Sequence, residues 1–507
     1  MKKRILAGLL CLVMLVSTLV TLCACAESQK NNPTSTTTAA GGTDTPDTGT
    51  TVTKPTLPSF GSEDNLVEIN FAIAETDADG FHKRSIKDED ADLDDPVDAA
   101  INTRNKKIEE ELGVEIVLLY YTTEGLRNTS VRDSLLAHDD TYDVIGGRQF
   151  DDCQLCLDNV LADLSNLYDD EGNAIDYLHT DQAYWSSYYI DAMKCGNAIY
   201  WLTGNICLRY SGGFYCFFVN NELYEETLAS TYGSIYKVVK DGKWTYDTLL
   251  KMVEMGFQNL DGDESVVSTE DQLGLALPVW DNINGMSIAA GVEYCKRNDD
   301  GSMTCTFNET NSTVVDFMSA CYNLLNSGYV YNYIGNYQQA LTDFTSNAVF
   351  ASARLNQAEL YLQDMESYSI IPCPKLSETA DYRASVHDGV QLYGINVASS
   401  KIPAAAATLE LMAYYSYVDV RPKYYDSALK YLYSRNEGAA EMIDLMDSHV
   451  YSDFVYIWQF CSQFNSLGDF LRNNVSGKKA TQMLKRVSAK YATGLATVME
   501  EIAALEE

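Results

Sequence analysis

The sequence predicts an α/β protein built around a largely parallel sheet. Two apolar stretches with strand composition, 67–74 and 114–121, lie on either side of a helical stretch, 95–112. Asp95-Pro96 stands at the start of that helix and Gly113 just past its end, as start and stop residues commonly do. Because strands that alternate with helices form parallel units, this order indicates an α/β sheet.

A third strand is predicted at 142–145, ending at Gly146-Gly147-Arg148. Ligands of such sheets bind beyond the carboxyl ends of the strands. The segments that follow Ala74 and Ile145 are therefore candidate ligand loops.

The rest of the chain predicts a second region and a helical end. Short strands are expected at 198–202, 208–210 and 214–219. Helices are predicted at 246–257, 313–326, 404–417, 437–446 and 478–505, with the pattern helical from 404 onward.

Length and charge limit the classes of function. The 507 residues suggest two or three domains, and 46% of them are hydrophobic, which is enough for a large core. The net charge of −36 argues against nucleic-acid binding, which needs a basic face. The sequence has no P-loop, no HExxH pattern and no GxSxG pattern, so it offers no nucleotide, zincin or hydrolase motif.

The first sixty residues predict an exported, anchored protein. Lys2, Lys3 and Arg4 precede an apolar run, 5–22, which ends at Leu22-Cys23-Ala24-Cys25. This ending resembles a bacterial lipobox, so 1–24 is predicted to be a signal peptide and Cys25 the lipidated residue. The alternative is an ordinary signal peptide that ends near Ala26. Residues 25–60, rich in Thr, Pro and Gly, are predicted to be a disordered tether.

Ten cysteines follow Cys25, and an even number outside the cell permits disulfides. The favoured bridge joins Cys295 to Cys305, because a turn sequence, 298–301, lies between them. Cys153 and Cys156 form a CxxC pair with three interpretations: a redox pair, half of a zinc site, or packed core thiols.

Six segments together carry a family resemblance. They resemble the extracellular solute-binding proteins of bacterial ABC importers, and more narrowly the lipid-anchored, carbohydrate-type (family 1) branch common in clostridia-like Gram-positive bacteria. The segments are LTGN (202–205), DGKWTYD (241–247), FASAR (350–354), IPCPK (371–375), YYDSAL (424–429) and AEMIDL (440–445).

The resemblance implies a two-lobed periplasmic-binding-protein-like fold of type II, with the ligand in a cleft between lobes that close by a hinge motion. The first lobe is expected at 66–190 with 335–390, and the second at 195–330 with 395–507. The implied function is capture of a solute, most simply a carbohydrate, and its delivery without catalysis. The implied partners are membrane permease subunits and an ATPase on other chains, with a monomeric binding protein on the outer face of the plasma membrane.

Aromatic residues are the first candidates for the ligand site, because a sugar ring stacks its CH face on an aromatic ring. Trp280, Asp281 and Asn282 combine an aromatic with two polar groups at a predicted strand end. Trp185 and Trp458 are further candidates. For any single tryptophan the alternative is a role in core packing.

Three charged residues complete the candidate ligand set. Arg148 and Arg354 each follow an apolar run, where an arginine is either a ligand clamp or an ion pair that stabilises a lobe. Glu75, just after the first strand, would bond hydroxyls or belong to a solvated acidic loop.

A calcium loop is a further hypothesis, and no other cofactor is expected. Asn259, Asp261, Asp263 and Glu270 occupy positions 1, 3, 5 and 12 of an EF-hand-like spacing. Position 6 is Glu264, where a glycine is wanted, so an acidic surface turn is the alternative. A glycoside hydrolase, which needs two facing carboxyls, and a ligand-sensing receptor on the same fold remain the alternative functions.

Overall fold

The structure is a computed structural model. It describes residues 52–74, 81–87, 92–169, 171–263, 267–428 and 437–505. The predicted signal peptide, Cys25 and Glu75 lie outside the described residues.

The first sheet has four strands in the order β13-β3-β1-β2. Strands β1, β2 and β3 are parallel to one another, as predicted, and β13 joins β3 in the antiparallel direction. Its strands are β1 Val67–Ala74, β2 Val114–Tyr121, β3 Val144–Arg148 and β13 Gln391–Ile395.

The second sheet has five strands in the order β10-β7-β11-β6-β12. Strands β7 and β10 run parallel to β11, whereas β6 is antiparallel to β11 and to β12. Its strands are β6 Tyr215–Asn220, β7 Leu273–Leu277, β10 Val330–Asn332, β11 Ala348–Arg354 and β12 Tyr368–Pro372. Two hairpins stand apart from both sheets, β4 Leu167–Tyr168 with β5 Ala174–Ile175 and β8 Cys295–Arg297 with β9 Met303–Cys305.

Helices surround the two sheets. In chain order they are α1 Phe81–Ile86, α2 Pro96–Leu112, α3 Glu124–Ala137, α4 Gln149–Leu157, α5 Ser187–Met193, α6 Leu208–Gly212, α7 Asn221–Thr227, α8 Ala229–Tyr232, α9 Ile235–Lys240, α10 Tyr246–Gly256, α11 Val279–Ala289, α12 Ser312–Leu325, α13 Tyr337–Asn347, α14 Gln357–Tyr361, α15 Ile402–Tyr415, α16 Arg421–Ala428, α17 Glu437–Asp447, α18 Phe454–Trp458, α19 Phe470–Asn474 and α20 Ala480–Leu505. A π-helical turn, Ser416–Val420, joins α15 to α16. No helix among the described residues is both long and apolar enough to cross a membrane.

The sequence explains the boundaries of the first βαβ unit. The Asp95 carboxylate accepts hydrogen bonds from the backbone of Val97 at 2.8 Å and of Asp98 at 3.1 Å, which caps the start of α2. Gly113 ends the helix in the left-handed region, at φ 65°, where glycine is favoured. These contacts confirm the predicted strand–helix–strand order of residues 67–121.

Strand β3 is longer than predicted, because it includes Gly146, Gly147 and Arg148. A Cβ atom on Gly147 would collide with the guanidinium of Arg127 and the carboxylate of Asp152, which pass directly beneath the strand. The two glycines therefore continue the strand past these side chains and carry it to Arg148 at its carboxyl end.

Two of the strands predicted in the second region are wrong. Residues 208–210 lie in helix α6, and 198–202 makes only isolated bridges, such as Leu202 with Tyr393. Apolar runs this short have no fixed conformation of their own, so the surrounding structure decides whether they form helix, strand or a single bridge.

The sheet membership also corrects the expected lobe boundaries. Within 335–390, β11 and β12 pair with β6 of the second sheet, so this segment does not return to the first lobe. The strand that returns to the first sheet is β13, and helix α15 packs on β1, β13 and α2 of the same lobe.

Two crossing segments, 203–214 and 384–390, join the lobes and pair with each other. The amide of Tyr215 donates to the Ser385 carbonyl at 3.0 Å, and the amide of His387 donates to the Gly213 carbonyl at 2.9 Å. The chain therefore passes between the lobes along these two paired segments. Residues of the second segment, 384–390, lie where both sheets end.

The β8–β9 hairpin confirms the predicted turn between the two cysteines. Cys295 and Cys305 are direct cross-strand partners, yet both are free thiols in the structure, so the predicted bridge is not formed. The CxxC pair is buried in the core, and burial raises the pKa values of the Cys153 and Cys156 thiols well above the ordinary value. This favours packed thiols among the three interpretations.

Candidate functional site

Residues of both lobes meet at His387–Gly389 of the second crossing segment. Arg148 ends β3 of the first sheet, and Arg354 ends β11 of the second. The amide of Gln149 donates to the Val390 carbonyl at 2.9 Å, so the end of β3 is held against this segment. We call these residues and the side chains around them the junction site.

Arg148 forms an ion pair within its own lobe. Its guanidinium is 2.6 Å from the Glu124 carboxylate and 2.8 Å from that of Asp151, and it lies over the ring of Phe150. Of the two alternatives given for Arg148, these contacts favour the ion pair, because two carboxylates already use its donors.

Arg354 has different partners. Only 5% of the residue is exposed, and its Nη1 lies 2.7 Å from Nε2 of His387. The guanidinium carbon is 4.9 Å from the centre of the Tyr337 ring, and no carboxylate among the described residues lies within ion-pair distance. Its surroundings therefore leave open the ligand clamp that the sequence suggested.

The charges around Arg354 keep His387 neutral. Burial, followed by the nearby guanidinium groups of Arg354, Arg209 and Arg472, lowers the pKa of His387 well below its ordinary value. Asp388, whose pKa burial raises, pairs with Arg472 at 3.1 Å. The imidazole therefore supplies no charge, and it accepts a hydrogen bond from Arg354 in the tautomer that carries its proton on Nδ1.

Trp280 reaches the junction site as an exposed aromatic ring. It is the second residue of α11 and not a strand end as predicted, because Pro278 follows β7 and the chain turns directly into the helix. The residue is 42% exposed, and the guanidinium carbon of Arg472 lies 5.6 Å from its ring centre. A partly exposed tryptophan beside a cation can stack on the apolar face of a ligand.

The two neighbours of Trp280 have structural contacts. The backbone carbonyl of Asp281 accepts a hydrogen bond from the Tyr215 hydroxyl at 3.0 Å. Asn282 is 1% exposed and donates from Nδ2 to the Ser352 carbonyl at 2.7 Å, which ties α11 to β11. These contacts fix the position of the Trp280 ring.

The structure does not bring Trp185 and Trp458 to the junction site. Trp185 is buried in the first lobe, and its Nε1 donates to Glu410 at 2.8 Å. Trp458 is buried and stacked on Phe454, with ring centres 4.9 Å apart. For Trp185 the burial and the bonded indole nitrogen favour core packing over a ligand contact. Trp458 is equally buried and stacked, but its Nε1 has no hydrogen-bond partner among the described residues.

Replacing Trp185 by phenylalanine is expected to cost about 1–3 kcal/mol of unfolding free energy, because Glu410, a buried carboxylate, loses a donor. Urea unfolding followed by circular dichroism measures this cost. Ligand affinity should not change. Weakened ligand binding with unchanged stability would contradict the packing role and restore Trp185 as a ligand residue.

Buried amide side chains that the sequence did not single out lie at the same sheet edges. Gln149 follows β3, Gln391 begins β13, and Asn356 and Gln357 follow β11. All four are at most 2% exposed, and each has at least one side-chain amide atom without a hydrogen-bond partner among the described residues. Such groups are normally satisfied, so they are suited to bind hydroxyl groups of a ligand. Their position, at the first residue of a strand or within three residues after one, was the available signal.

The loop proposed for calcium is closed by its own hydrogen bonds. Asn259 Oδ1 accepts from the amide of Gly262 at 2.8 Å, and Asp261 accepts from Asp263 and from Ser268. The Glu270 amide donates to the Ser268 hydroxyl at 3.1 Å. Across the described residues no group of three or more His, Cys, Asp or Glu is placed to hold a metal ion. Glu264 lies outside the described residues, and the calcium loop stays a prediction.

Comparisons with known proteins identify the fold. No protein-family model matches the chain, and no curated protein matches it. Many solved structures resemble it at low identity, and three of them serve as examples. The galacto-N-biose/lacto-N-biose I-binding protein of an ABC transporter from Bifidobacterium longum is 11% identical, with a TM-score of 0.54, over 86% of this chain and 98% of that one.

The second is the cyclic α-maltosyl-1,6-maltose binding protein from Arthrobacter globiformis, 12% identical with a TM-score of 0.53 over 86% of this chain and all of that one. The third is a sugar transporter from Rhizobium etli in an open conformation, 12% identical with a TM-score of 0.52 over 87% of this chain and 100% of that one. The likeness confirms the predicted two-lobed, periplasmic-binding-protein-like fold with a helical C-terminal region.

Proposed function

We propose that this chain is the solute-binding component of an ABC importer and that its ligand is a carbohydrate. The observation that carries the proposal is Trp280, a half-exposed tryptophan at the point where two lobes of this fold meet. The three similar structures support it, since their names describe sugar-binding or sugar-transporting proteins.

The site can recognise a sugar by two kinds of contact. The Trp280 ring offers a surface for the apolar CH face of a sugar ring. The buried amides of Gln149, Gln391, Asn356 and Gln357 offer donors and acceptors for the hydroxyl rim. Because these groups belong to both sheet edges, binding would draw the lobes together about the two crossing segments.

Delivery without chemical change is part of the proposal. Within the described residues, the junction carboxylates Asp388, Asp151 and Glu124 form ion pairs with arginines. A glycoside hydrolase needs one carboxyl as an acid and another as a nucleophile or base across the bond that breaks.

The location and partners of the protein are also part of the proposal. A lipid on Cys25 would hold the protein at the outer face of the plasma membrane and anchor it without spanning the bilayer. Of the predicted tether, 25–60, the last residues contact the first lobe, where Lys54 pairs with Glu111 at 2.8 Å and the Phe60 amide donates to the Leu112 carbonyl at 2.7 Å. A monomer in this position would deliver its ligand to permease subunits on other chains. Mass spectrometry of the exported protein tests the anchor, since a diacylglyceryl group on Cys25 adds a defined mass.

A thermal-shift screen of the purified chain against mono- and oligosaccharides, polyols and peptides tests the ligand class. A ligand that binds only the folded state raises the melting temperature. A shift with a saccharide that is recovered intact supports the proposal. Recovery of cleaved saccharide, or shifts with peptides alone, would contradict it.

Replacing Trp280 by alanine is expected to weaken binding of the saccharide found in that screen by about tenfold, because stacking on one aromatic ring contributes roughly 1.5 kcal/mol. Isothermal titration calorimetry measures the change. Trp185→Phe is the matched control, since that tryptophan is buried away from the junction. Equal losses in the two variants would indicate a general loss of folding and contradict the role of Trp280.

A further inference from the structure

We propose that the ligand carries an anionic group and that Arg354 binds it, so that the cargo is an acidic saccharide. This inference rests on the carbohydrate-binding function proposed above. It begins with a buried cation that forms no ion pair with a carboxylate of the described residues. Arg354 is 5% exposed, and among the described residues its side chain makes one hydrogen bond, from Nη1 to His387.

One edge of the Arg354 guanidinium is open. Its Nε is buried and has no hydrogen-bond partner, and Nη2 forms no hydrogen bond within the described residues. Nε and Nη2 point in the same direction from the planar group. This pair of donors is the geometry that binds two oxygens of one carboxylate or phosphate.

Two other buried arginines, Arg104 and Arg127, have partners within the described residues. Arg127 pairs with Asp152, and Arg104 donates to Asn105, to Ser416 and to the Ile86 carbonyl from all of its side-chain nitrogens. An unpaired buried charge is costly, so folded proteins normally pair it or hydrogen-bond it fully. The open edge of Arg354 therefore calls for an oxygen ligand that is not part of the described chain.

The surroundings add positive charge to this point of an otherwise acidic protein. The chain carries a net charge of −36, yet Arg209 and Arg472 also lie close enough to His387 to act on its protonation. Asp388 is paired with Arg472, and His387, which lies 2.7 Å from Arg354 Nη1, is a neutral ring that brings no negative charge. Among the described residues, the Arg354 charge acts on the pKa of Asp388 but forms no ion pair with a carboxylate, so its guanidinium is available to an anion.

Arg354 and Trp280 can act on one ligand. Arg354 is the last residue of β11 and Trp280 lies three residues after β7, and these strands are parallel neighbours with Phe350 opposite Leu275. Neighbouring strands are about 4.8 Å apart, so both side chains leave the same edge of the sheet within the span of one or two sugar rings. A ring stacked on Trp280 would thus bring its own acidic group, or that of the next ring, toward Arg354.

Calorimetry with matched pairs of saccharides tests the inference on the full chain. The acidic probes are galacturonic and glucuronic acid with their di- and trisaccharides, and the neutral probes are the galactose and glucose counterparts. Galactose 6-phosphate is a further arm that separates phosphate from carboxylate recognition. We expect the best acidic probe to bind at least about tenfold tighter than its neutral counterpart.

Variants assign this preference to Arg354. Arg354→Gln should reduce the acidic-to-neutral ratio to about one while it changes neutral affinity less than about twofold. Arg354→Lys keeps the charge but not the paired donors, so it should retain part of the ratio, and it serves if the glutamine variant does not fold. Arg148→Gln is the matched control, since that guanidinium is neutralised by carboxylates; it should change both affinities by the same factor.

The outcomes separate the two proposals. Neutral saccharides that bind as tightly as acidic ones would overturn the acidic ligand and leave the carbohydrate function standing. Equal weakening of both classes by Arg354→Gln would make Arg354 a structural residue and also overturn the inference. Binding of no saccharide of either class would overturn both.

Discussion

Replacing Asp152 by alanine should destabilise the protein by about 3–5 kcal/mol, because the variant leaves the Arg127 guanidinium buried without its counter-ion. Both side chains are 0% exposed, and their ion pair joins α3 to α4 directly beneath β3. Arg127 also donates from Nη1 to the Gly146 carbonyl, so the pair holds the strand that carries Arg148 to the junction site. Urea unfolding near neutral pH measures the loss.

A second ion pair between the same two elements provides the matched control. Arg132 of α3 pairs with Asp158, the residue just after α4, and their side chains are 37% and 30% exposed. Because solvent screens an exposed pair, Asp158→Ala should cost at most about 1 kcal/mol. Similar losses from Asp152→Ala and Asp158→Ala would show that burial does not decide the contribution of the pair.

The sequence predicted the first lobe well because its signals are local. Strands β1 and β2 and helix α2 have their boundaries set by an Asp cap, a glycine stop and continuous apolar runs, all within a few residues. The course of the chain after residue 195 depends on contacts between distant segments. The pairing of β13 with β3, across more than 240 positions, is one such contact, and no local pattern indicates it.

The site was predictable in part for the same reason. Arg354 ends an apolar strand and Trp280 lies three residues after one, which is a pattern visible in the sequence, and the structure brings both to the junction. Trp185 has an equally favourable composition around it. The indole nitrogen of Trp185 donates to Glu410, a buried residue 225 positions further along the chain. Only this contact shows that Trp185 is held inside the lobe. Gln149 and Gln391 were not predicted as site residues, because an amide side chain indicates a ligand contact only when its burial is known.

A buried carboxylate near the lobe junction makes stability depend on pH. Asp453 caps α18 by accepting from the Tyr456 amide at 2.8 Å, and it also accepts from the Tyr294 amide at 2.6 Å, next to β8. Burial raises its pKa to about 6, and the backbone donors offset only part of that effect. The helix α18 packs on α4 and α5 of the first lobe, so this one carboxyl links the C-terminal helices to both lobes.

The Asp453→Asn variant is expected to remove this pH dependence. A carboxyl with a pKa raised in the folded state binds a proton more tightly there than in the unfolded chain, so its contribution to stability is complete below the unfolded pKa of about 3.9 and is lost as pH rises through about 6. Between about pH 5 and about pH 7 the wild type should therefore lose roughly 1.4 kcal/mol more than the variant, because asparagine does not titrate in this range. Urea unfolding of both proteins at a series of pH values gives the difference directly, whatever other groups titrate in common. Parallel stability curves for the two proteins would contradict a buried, proton-binding Asp453. Curves that converge toward high pH would show that the contact between the β8–β9 hairpin and α18 is one source of stability in acid.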